Sequence, residues 1–566
     1  MGKIWTKKEK IGKEQGEFGH GRTLEVSPGH LRWTFVLSVP WILPLAPPLP
    51  NPTPFFWISD PVPAVSPQKS SGVPGISTPS PIQDGRKMWS VWAGLSQSSG
   101  GHERAPGAAP VPALHLPEHR DRHSRLPGHR GRGSQIPLLQ PGDPSAAPAL
   151  FQVIHRLPMP NVGDELHHSG WNVCSSCFGE RGRSRNRLVL PGLVSSRIYV
   201  VDVGSEPRAP RLCQVVNPED VFWKCGLGYP HTSHCLGSGE VMISTLGDPA
   251  GNGKGGFILL DAETFEVKGT WEKGEEAPPM GYDFWYQPRH NVLISTEWGI
   301  PKVLGYGFDP NDLGKGRYGR RLNVWDWSTH RYIQAIDVGE DSAPLEIRFL
   351  HNPNASEGFV GCTISSAIHR FYKTERGDWA AEKVIQVPSK KVEGWLLPEM
   401  PGFITDILIS LDDRFLYFSN WIHGDVRQYD ISDTRRPKLV GQVFLGGSIT
   451  KGGPVRVCED EELQSQPEPF VIQGKKIPGG PQMLQLSLDG RRLYVSTSLF
   501  SAWDRQFYPE LIRDGAVMLQ LDVDTERGGL SVNPKFLVDF GKEPGGPCLA
   551  HEMRYPGGDC TSDIWL

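Results

Sequence analysis

The segments Leu411–Ser419 (LDDRFLYFS) and Leu488–Ser496 (LDGRRLYVS) are near-copies of each other. In each, an apolar residue leads into an Asp or Asp-Gly turn, and an apolar and aromatic run follows the turn. A short run of this composition beside turn residues is typical of a β-strand entered from a tight turn. The repetition predicts equivalent strand–turn–strand units, and therefore a fold assembled from repeated β elements.

A second repeated unit is a strand that ends in Asp and is followed by a turn and another strand. Its spacings suit four-stranded propeller blades of about 40–60 residues, with the two longest gaps as multiples or insertions. Six units predict an all-β propeller, because each blade buries both faces and ring closure removes exposed sheet edges. A pair of β-sandwiches is the alternative. The units end at Asp202, Asp261, Asp326, Asp430 and Asp522, and a copy without the Asp fits around His369–Tyr372.

The composition excludes several classes of protein. The chain has 65 Gly and 52 Pro among 566 residues, so it is rich in turns and a long helical bundle is disfavoured. Its net charge of −4 gives no reason to expect nucleic acid as a partner. The apolar stretch from Leu31 to Pro50 is interrupted by four prolines, whereas a membrane-spanning helix needs about 20 apolar residues. We expect a cytosolic protein whose nine cysteines are mostly reduced.

Several motifs after residue 150 are long and unusual. On these motifs, residues 152–566 resemble the selenium-binding protein family of the SBP56 type, which is also described as methanethiol oxidase. They include QVIHRLPMPN (152–161), DELHHSGWN (164–172), CSSCFG (174–179), HTSHC (231–235), GYDFWYQPRHN (281–291), PLEIRFLHNP (344–353), FSNWIHGDVRQYDISD (418–433) and AHEMRYPGGDCTSDIW (550–565).

The resemblance implies a seven-bladed β-propeller over residues 151–566, with a first blade that is incomplete in this chain. Residues 1–150 lack the Cys-x-x-Cys segment and the first strand that family members have. Read one nucleotide out of frame, codons for Leu126–Pro137 (LPGHRGRGSQIP) can encode SLATVDVDPKSP, which is typical of that strand. We therefore predict that residues 1–150 are a low-complexity, disordered segment, of which about residues 85–140 are an out-of-frame N-terminus.

Histidines beside turns are the candidate metal ligands, because neutral imidazole is the commonest donor to transition metals. Equivalent loops of a propeller converge on one axis, so histidines far apart in sequence can meet. Hydrogen-bonded loop caps are the alternative for each one. The resemblance implies copper as the metal. The candidates are His167, His168, His234 and His423 in first place and His231 and His551 in second place, with Glu165, Asp425 and Glu552 as carboxylates that orient them.

Cys174 and Cys177 form a C-x-x-C pair, which suits a redox pair, a soft-metal site or a selenium site. Two half-buried thiols in a turn are the alternative. Family members carry a cysteine directly before the QVIHR motif, and Phe151 stands there in this chain. Phe151 at that position and the missing N-terminal Cys-x-x-Cys argue against selenium binding at those places, and Cys174 and Cys177 are the candidate selenium or redox thiols.

The resemblance implies an enzyme that converts methanethiol, O₂ and water into formaldehyde, hydrogen sulfide and hydrogen peroxide. The competing class is a non-enzymatic protein that binds selenium or xenobiotics, or an adaptor in intra-Golgi transport or protein turnover. Protein partners, the nucleus and peripheral membrane contact belong to that second class. Convergent histidines discriminate between the two, since an adaptor has no need of them inside its channel.

Overall fold

The computed structural model describes residues 32–34, 90–92, 155–161, 163–173, 182–555, 560 and 563–564. Cys174, Cys177 and most of residues 1–150 lie outside the described residues, so the expectations for them stay predictions.

Six sheets of four antiparallel strands make up the body of the protein, and in each the strands follow one another in chain order. We number them blades 1 to 6. Blade 1 is β4 (Gly170–Trp171), β5 (Arg187–Pro191), β6 (Ile198–Asp202) and β7 (Arg211–Val216); blade 2 is β8 (Gly228–Cys235), β9 (Glu240–Gly247), β10 (Gly253–Asp261) and β11 (Val267–Thr270); blade 3 is β12 (Phe284–Gln287), β13 (Val292–Ser295), β14 (Arg321–Asp326) and β15 (Arg331–Asp337).

The second half of the ring repeats this pattern. Blade 4 is β16 (Pro344–Phe349), β17 (Glu357–Cys362), β18 (Ala367–Lys373) and β19 (Trp379–Gln386); blade 5 is β22 (Ile404–Ile409), β23 (Phe415–Asn420), β24 (Asp425–Asp430) and β25 (Lys438–Phe444); blade 6 is β29 (Leu484–Leu486), β30 (Arg492–Ser496), β31 (Val517–Val523) and β32 (Leu530–Asp539). Apolar clusters fill the space between neighbouring blades.

The first strand of each blade is the innermost one. β12, β16 and β22 are buried along their whole length, whereas the fourth strand β15 alternates between exposed and partly buried residues. First strands of successive blades also contact each other, as β12 does with β16 and β16 with β22. This is the propeller arrangement that the repeats predict, and it brings the residues beside the first strands to one axis.

The repeated Asp units mark the third strands, which confirms the prediction from the repeats. β6, β10, β14 and β24 each end at such an Asp, β31 contains Asp522, and the copy without Asp lies in β18. The carboxylates stabilise the turn that follows: Asp202 accepts from the backbone N–H of Gly204 and Ser205, and Asp261 from those of Glu263 and Thr264. This local hydrogen bonding is the Asx turn.

The strand–turn–strand copies are the connections between the first and second strands of blades 5 and 6. In both, a serine hydroxyl donates to the turn Asp, as Ser410 does to Asp412 and Ser487 to Asp489. Asp413 takes a φ of 58°, and Gly490 takes 71° in the matching position of the other copy. A left-handed residue is needed there, and Gly and Asp are residue types that tolerate it.

A seventh position of the ring is occupied by the chain ends. β33 (Cys548–Ala550) pairs in parallel with β1 (Arg32–Thr34), and β2 (Ser90–Trp92) pairs with β3 (His155–Leu157). The segment after β33 contacts blade 6 through Ser496, whose hydroxyl donates to the His551 carbonyl. It contacts blade 1 through Arg554, which donates to the Ser169 carbonyl. Among the described residues this position has two pairs of strands where the other positions have one four-stranded sheet.

Insertions between strands cover one end of the ring, and we call them the cap. A single apolar cluster joins them to the ends of the blades. The cap contains α2 (Pro301–Leu304), α3 (Ser501–Phe507), α4 (Pro509–Asp514), and a sheet of β20 (Lys390–Glu393), β21 (Glu399–Met400) and β26 (Arg456–Glu459). The hairpin of β27 (Val471–Ile472) and β28 (Lys475–Lys476) packs with the apolar cluster of blades 5 and 6. A further helix, α1 (Pro218–Cys225), connects blades 1 and 2. In the part of the chain that the structure describes, no helix is long and apolar enough to cross a membrane.

Candidate active site

Four histidines lie together where the first strands converge, and we call them the histidine cluster. His167 and His168 directly precede β4, His231 lies in β8, and His551 directly follows β33. Their exposed fractions are 2% or less. Blades 1 and 2 and the seventh position thus contribute to one buried site.

The rings of the cluster are in direct contact. His167 stacks on His551 with 4.2 Å between ring centroids, and His168 lies 4.2 Å from His231. Between the two pairs, the ring centroids of His167 and His231 are 5.6 Å apart, and those of His168 and His551 are 5.8 Å apart. Tyr282 of the neighbouring blade covers His231 at 4.0 Å.

The imidazoles are held in their neutral form. Burial lowers the pKa of His167 to about 3, and it lowers the pKa of His168, His231 and His551 well below the usual value. Desolvation disfavours the charged ring, and neighbouring rings of the cluster add to this effect. Neutral imidazole is the form that binds a metal ion.

Thr232 fixes the orientation of two of the rings. Its Oγ1 lies 3.3 Å from His168 Nδ1 and 3.2 Å from His231 Nδ1, so a single hydroxyl bridges both. Because Nδ1 of His168 and of His231 contacts Thr232, Nε2 is the nitrogen of each ring that remains available as a metal ligand. Among the described residues, His231 Nε2 and both ring nitrogens of His551 have no hydrogen-bond partner. Buried polar atoms of this kind are costly unless something binds them.

Two carboxylates complete the site on the side of blades 3 and 4. Glu346 Oε1 lies 3.2 Å from His168 Nε2. Donor atoms of His168, Asp283 and Glu346 lie within 4.8 Å of one another, close enough to hold one metal ion. Arg348 binds both carboxylates, at 2.6 Å from Asp283 and 2.9 Å from Glu346, and thereby offsets their charge in the buried channel.

Glu165 contacts a ring of the cluster, and Glu552 is the residue after His551. Glu165 Oε2 is 3.4 Å from His167 Nε2, and Glu165 also accepts from the Ser501 hydroxyl at the start of α3. Glu552 accepts from Ser169 Oγ at 2.6 Å and from Arg554. Glu165 therefore connects His167 to the cap, and Glu552 connects the segment after β33 to the residues before β4.

His234, His423 and Asp425 have other surroundings. His234 packs edge-on against Phe284 and Trp285 in the space between blades. His423 lies under the cap, where its Nε2 is 3.1 Å from the Met400 carbonyl. Asp425 accepts from Arg427 at 2.7 Å in a buried ion pair of blade 5. Of the four histidines placed first by the sequence, the structure joins His167 and His168, and it adds His231 and His551 to them.

A profile of the family described as "56kDa selenium binding protein (SBP56)" matches residues 142–566 of this chain. The chain belongs to this selenium-binding protein family. Curated relatives named methanethiol oxidase include a Xenopus laevis protein, 71% identical over 425 residues, and a Homo sapiens protein, 71% identical over 424 residues. Each alignment covers 75% of this chain and 90% of the relative.

A solved structure of the same family supports the fold. The X-ray structure of a hypothetical selenium-binding protein from Sulfolobus tokodaii is similar with a TM-score of 0.65 and 38% identity. The similarity covers 75% of this chain and 90% of that one. The matched region contains the six four-stranded blades and the histidine cluster, and the unmatched part is at the N-terminus.

Two residues of the site, Arg348 and Tyr282, were not predicted from the sequence. Asp283, Glu346 and Arg348 form the charged side of the site, and Tyr282 covers His231. A signal was present, because PLEIRF places two charged residues in a strand that is otherwise apolar. Charges inside a buried strand are almost always paired, and pairing at the axis of a propeller marks its channel.

Proposed function

We propose that this protein is a methanethiol oxidase that converts CH₃SH, O₂ and H₂O into HCHO, H₂S and H₂O₂. Relatives with that name are 71% identical over nine-tenths of their length. The observation that carries the proposal is the buried histidine cluster, since it provides a site suited to redox chemistry at the axis of the ring.

The cluster fits a copper ion. His168, Asp283 and Glu346, whose donor atoms lie within 4.8 Å of one another, would hold it, and the neighbouring rings of His231, His551 and His167 would supply the further donors. Imidazole suits copper as a ligand, and burial keeps all four rings neutral. The ring nitrogens of His231 and His551 noted above are buried donors that such an ion would use. When bound, copper supplies a centre that favours the thiolate of the substrate and accepts electrons from it.

The reaction defines what the protein must handle. Taking two electrons and two protons from CH₃SH gives CH₂S, which water converts to HCHO and H₂S. The two electrons and two protons reduce O₂ to H₂O₂. The protein therefore has to accept protons close to the thiol and to keep the reactive thiocarbonyl from other nucleophiles.

The residues of the site suit these tasks. The Glu346 and Glu165 carboxylates lie 3.2 Å from His168 and 3.4 Å from His167, so they are placed to accept protons released beside the cluster. Burial and the nearby Glu346 raise the pKa of Tyr282, so its hydroxyl stays protonated and can donate a hydrogen bond to sulfur or oxygen. Burial of the cluster excludes bulk water and competing thiols.

Metal analysis and product assays on the purified protein test the proposal. We expect copper to bind at about one ion per chain, and we expect H₂S and H₂O₂ to form in equal amounts from methanethiol. The same protein stripped with a chelator should lose activity and regain it with copper. Metal-free protein that binds no copper and forms neither product would contradict the proposal and favour the adaptor class.

We also propose a cytosolic location and a selenium site at Cys174 and Cys177. Cys213, Cys225, Cys362 and Cys458 are free thiols, as expected in a reducing compartment, whereas Cys235 is disulfide-bonded. Burial raises the pKa of Cys225 to about 11 and that of Cys362 to about 12, so these two thiols stay neutral and are poor partners for a soft element. Mass spectrometry of selenite-treated protein, compared with the C174S/C177S variant, tests this site.

A further inference from the structure

A pocket of about 390 Å³ opens on the capped end of the ring beside the histidine cluster. Its walls are largely apolar and include Leu193, Leu246 and Leu304, with Trp298 and Phe500. Val194 and Tyr306 also line it, and they are 47% and 92% exposed, so the pocket is open to solvent on their side.

Two aromatic side chains separate this pocket from the cluster. Phe500 is 6% exposed and contacts His167 edge-on, with 5.4 Å between ring centroids. Trp298 is 1% exposed and contacts Tyr282 at 5.3 Å, and Tyr282 in turn covers His231. Trp298 and Phe500 lie 6.0 Å apart. A single layer of rings therefore lies between a solvent-open apolar pocket and the buried imidazoles.

Hydrogen bonds of α3 connect the aromatic layer to a carboxylate beside the histidine cluster and to the wall of the pocket. Phe500 directly precedes α3, whose first residue, Ser501, donates to Glu165, the carboxylate beside His167. On the other side, Trp503 Nε1 donates to the Leu304 carbonyl at 3.0 Å, and this joins α3 to the wall of the pocket. The position of Phe500 is thus set by the same residues that surround the cluster.

We propose that this pocket, which we call the access pocket, admits the thiol substrate and binds its alkyl group, and that Phe500 and Trp298 limit the length of that group. This inference rests on the proposed function. The four imidazoles are 2% exposed or less, so a substrate needs a route to them. An apolar pocket favours an alkyl group over water, and the narrow passage between Phe500 and Trp298, whose ring centroids are 6.0 Å apart, limits how long a group can pass from the pocket to the imidazoles. Small, unbranched thiols are therefore the expected substrate class.

A series of alkyl thiols tests the size limit. We expect Phe500→Ala to raise the ratio of kcat/KM for butanethiol over methanethiol by at least about tenfold, because one methylene in a tight apolar site changes discrimination by about 10–200-fold. Phe507→Ala is the matched control: Phe507 ends the same helix and packs on Trp395 and Trp421 in the cap. An unchanged ratio in Phe500→Ala, or an equal rise in the control, would overturn the proposal.

A second variant blocks the pocket without opening the core. Val194→Trp adds a large side chain at the exposed rim, and we expect it to lower kcat/KM for methanethiol at least threefold while copper content stays unchanged. Ile333→Trp is its control, because Ile333 is 57% exposed and lies on the outer strand β15. Equal activity in both variants would show that the substrate takes another route.

Binding of dimethyl sulfide separates this inference from the proposed function. Its methyl groups probe the pocket, and it has no thiol to oxidise, so saturation-transfer NMR detects binding whether or not the protein turns over methanethiol. We expect binding to the wild type and to Ile333→Trp and its loss in Val194→Trp. That pattern in a protein without turnover would retain the access pocket and reject the oxidase. Full turnover without dimethyl sulfide binding would retain the oxidase and reject the access pocket.

Discussion

His551 and His423 are both fully buried histidines beside a turn, but only His551 touches other imidazoles. We expect His551→Ala to lower bound copper and methanethiol turnover at least about tenfold, since one donor is lost from a site whose geometry sets affinity. His423→Ala removes a contact with the Met400 carbonyl and should retain copper. Metal content per chain and initial rates for the two variants check this. Equal copper loss in both would contradict the assignment of the cluster.

Arg348 is the buried cation that holds the channel carboxylates together. It bonds Asp283 and Glu346 and lies 4.0 Å from Asp406. Removing one partner of a buried ion pair typically destabilises a protein by about 3–5 kcal/mol, because the other charges lose their compensation. Arg348→Met should therefore lower the melting temperature clearly, whereas Arg436→Met at an 84% exposed side chain should leave it nearly unchanged. Matching melting temperatures for the two variants would be evidence against this network.

At the scale of single residues, the sequence predicted the motifs better than the directions of their side chains. In HTSHC, His231 and His234 are three residues apart on β8, and strand residues at odd separation tend to face opposite ways. His231 reaches the axis and His234 packs between blades. His423 could not be separated from His551 by sequence, because both follow a strand and precede an acidic residue or turn. The two histidines differ in how deep their loops lie in the ring, and this depth is a property of the folded structure.

Asp504 in α3 makes the stability of the cap depend on pH. Burial raises the pKa of its carboxyl to about 8, while Ser498 Oγ and the Leu499 N–H donate to it. In the unfolded chain the same group ionises near pH 4. Between about pH 4 and pH 8 the folded chain thus holds a proton that the unfolded chain has lost, so stability falls as the pH rises.

Asp504→Asn tests this dependence, because an amide can keep both hydrogen bonds without ionising. We expect the free energy of unfolding of the wild type to fall by about 3 kcal/mol between pH 5.5 and pH 8, with a matching fall in melting temperature, and both to fall less in the variant. Asp514→Asn is the control in the adjacent helix, since the bond from Arg513 lowers the pKa of Asp514. Parallel pH profiles for the wild type and Asp504→Asn would contradict the assigned proton.

At the scale of elements, the strands followed from the sequence and the cap did not. The Asp at the end of a third strand accepts hydrogen bonds that stabilise the turn after it. Because each blade has such a turn, the Asp recurs from blade to blade, and its spacing in the sequence reveals the length of a blade. The longest gap, from Asp326 to Asp430, contains the blade without an Asp, and the next, from Asp430 to Asp522, contains the inserted β26 to β28. The helices and short strands of the cap are insertions of different lengths. They carry no repeat, and their position depends on packing against blade ends.

At the scale of the whole molecule, the histidine cluster joins the two ends of the described ring. His167 and His168 precede the first strand of blade 1, and His551 follows β33 near the end of the chain. A metal ion held by all three would therefore bind the closed ring and not the open one. Ligands that bind only the closed form stabilise it, by about 2.7 kcal/mol at a concentration of 100 times Kd.

Arg554 makes the protein contacts that hold this closure. Its guanidinium donates to the Ser169 carbonyl at 2.6 Å and binds Glu552, and its side chain is 3% exposed. We expect Arg554→Met to lower the melting temperature of the copper-free protein and to weaken copper binding, because His551 is then less firmly held beside His167. Saturating copper should restore part of the lost melting temperature, since the ion reconnects the same two segments. Arg513→Met, at a 73% exposed side chain of α4, should change neither quantity. An Arg554→Met protein that melts and binds copper like the wild type would show that closure of the ring and assembly of the cluster are independent.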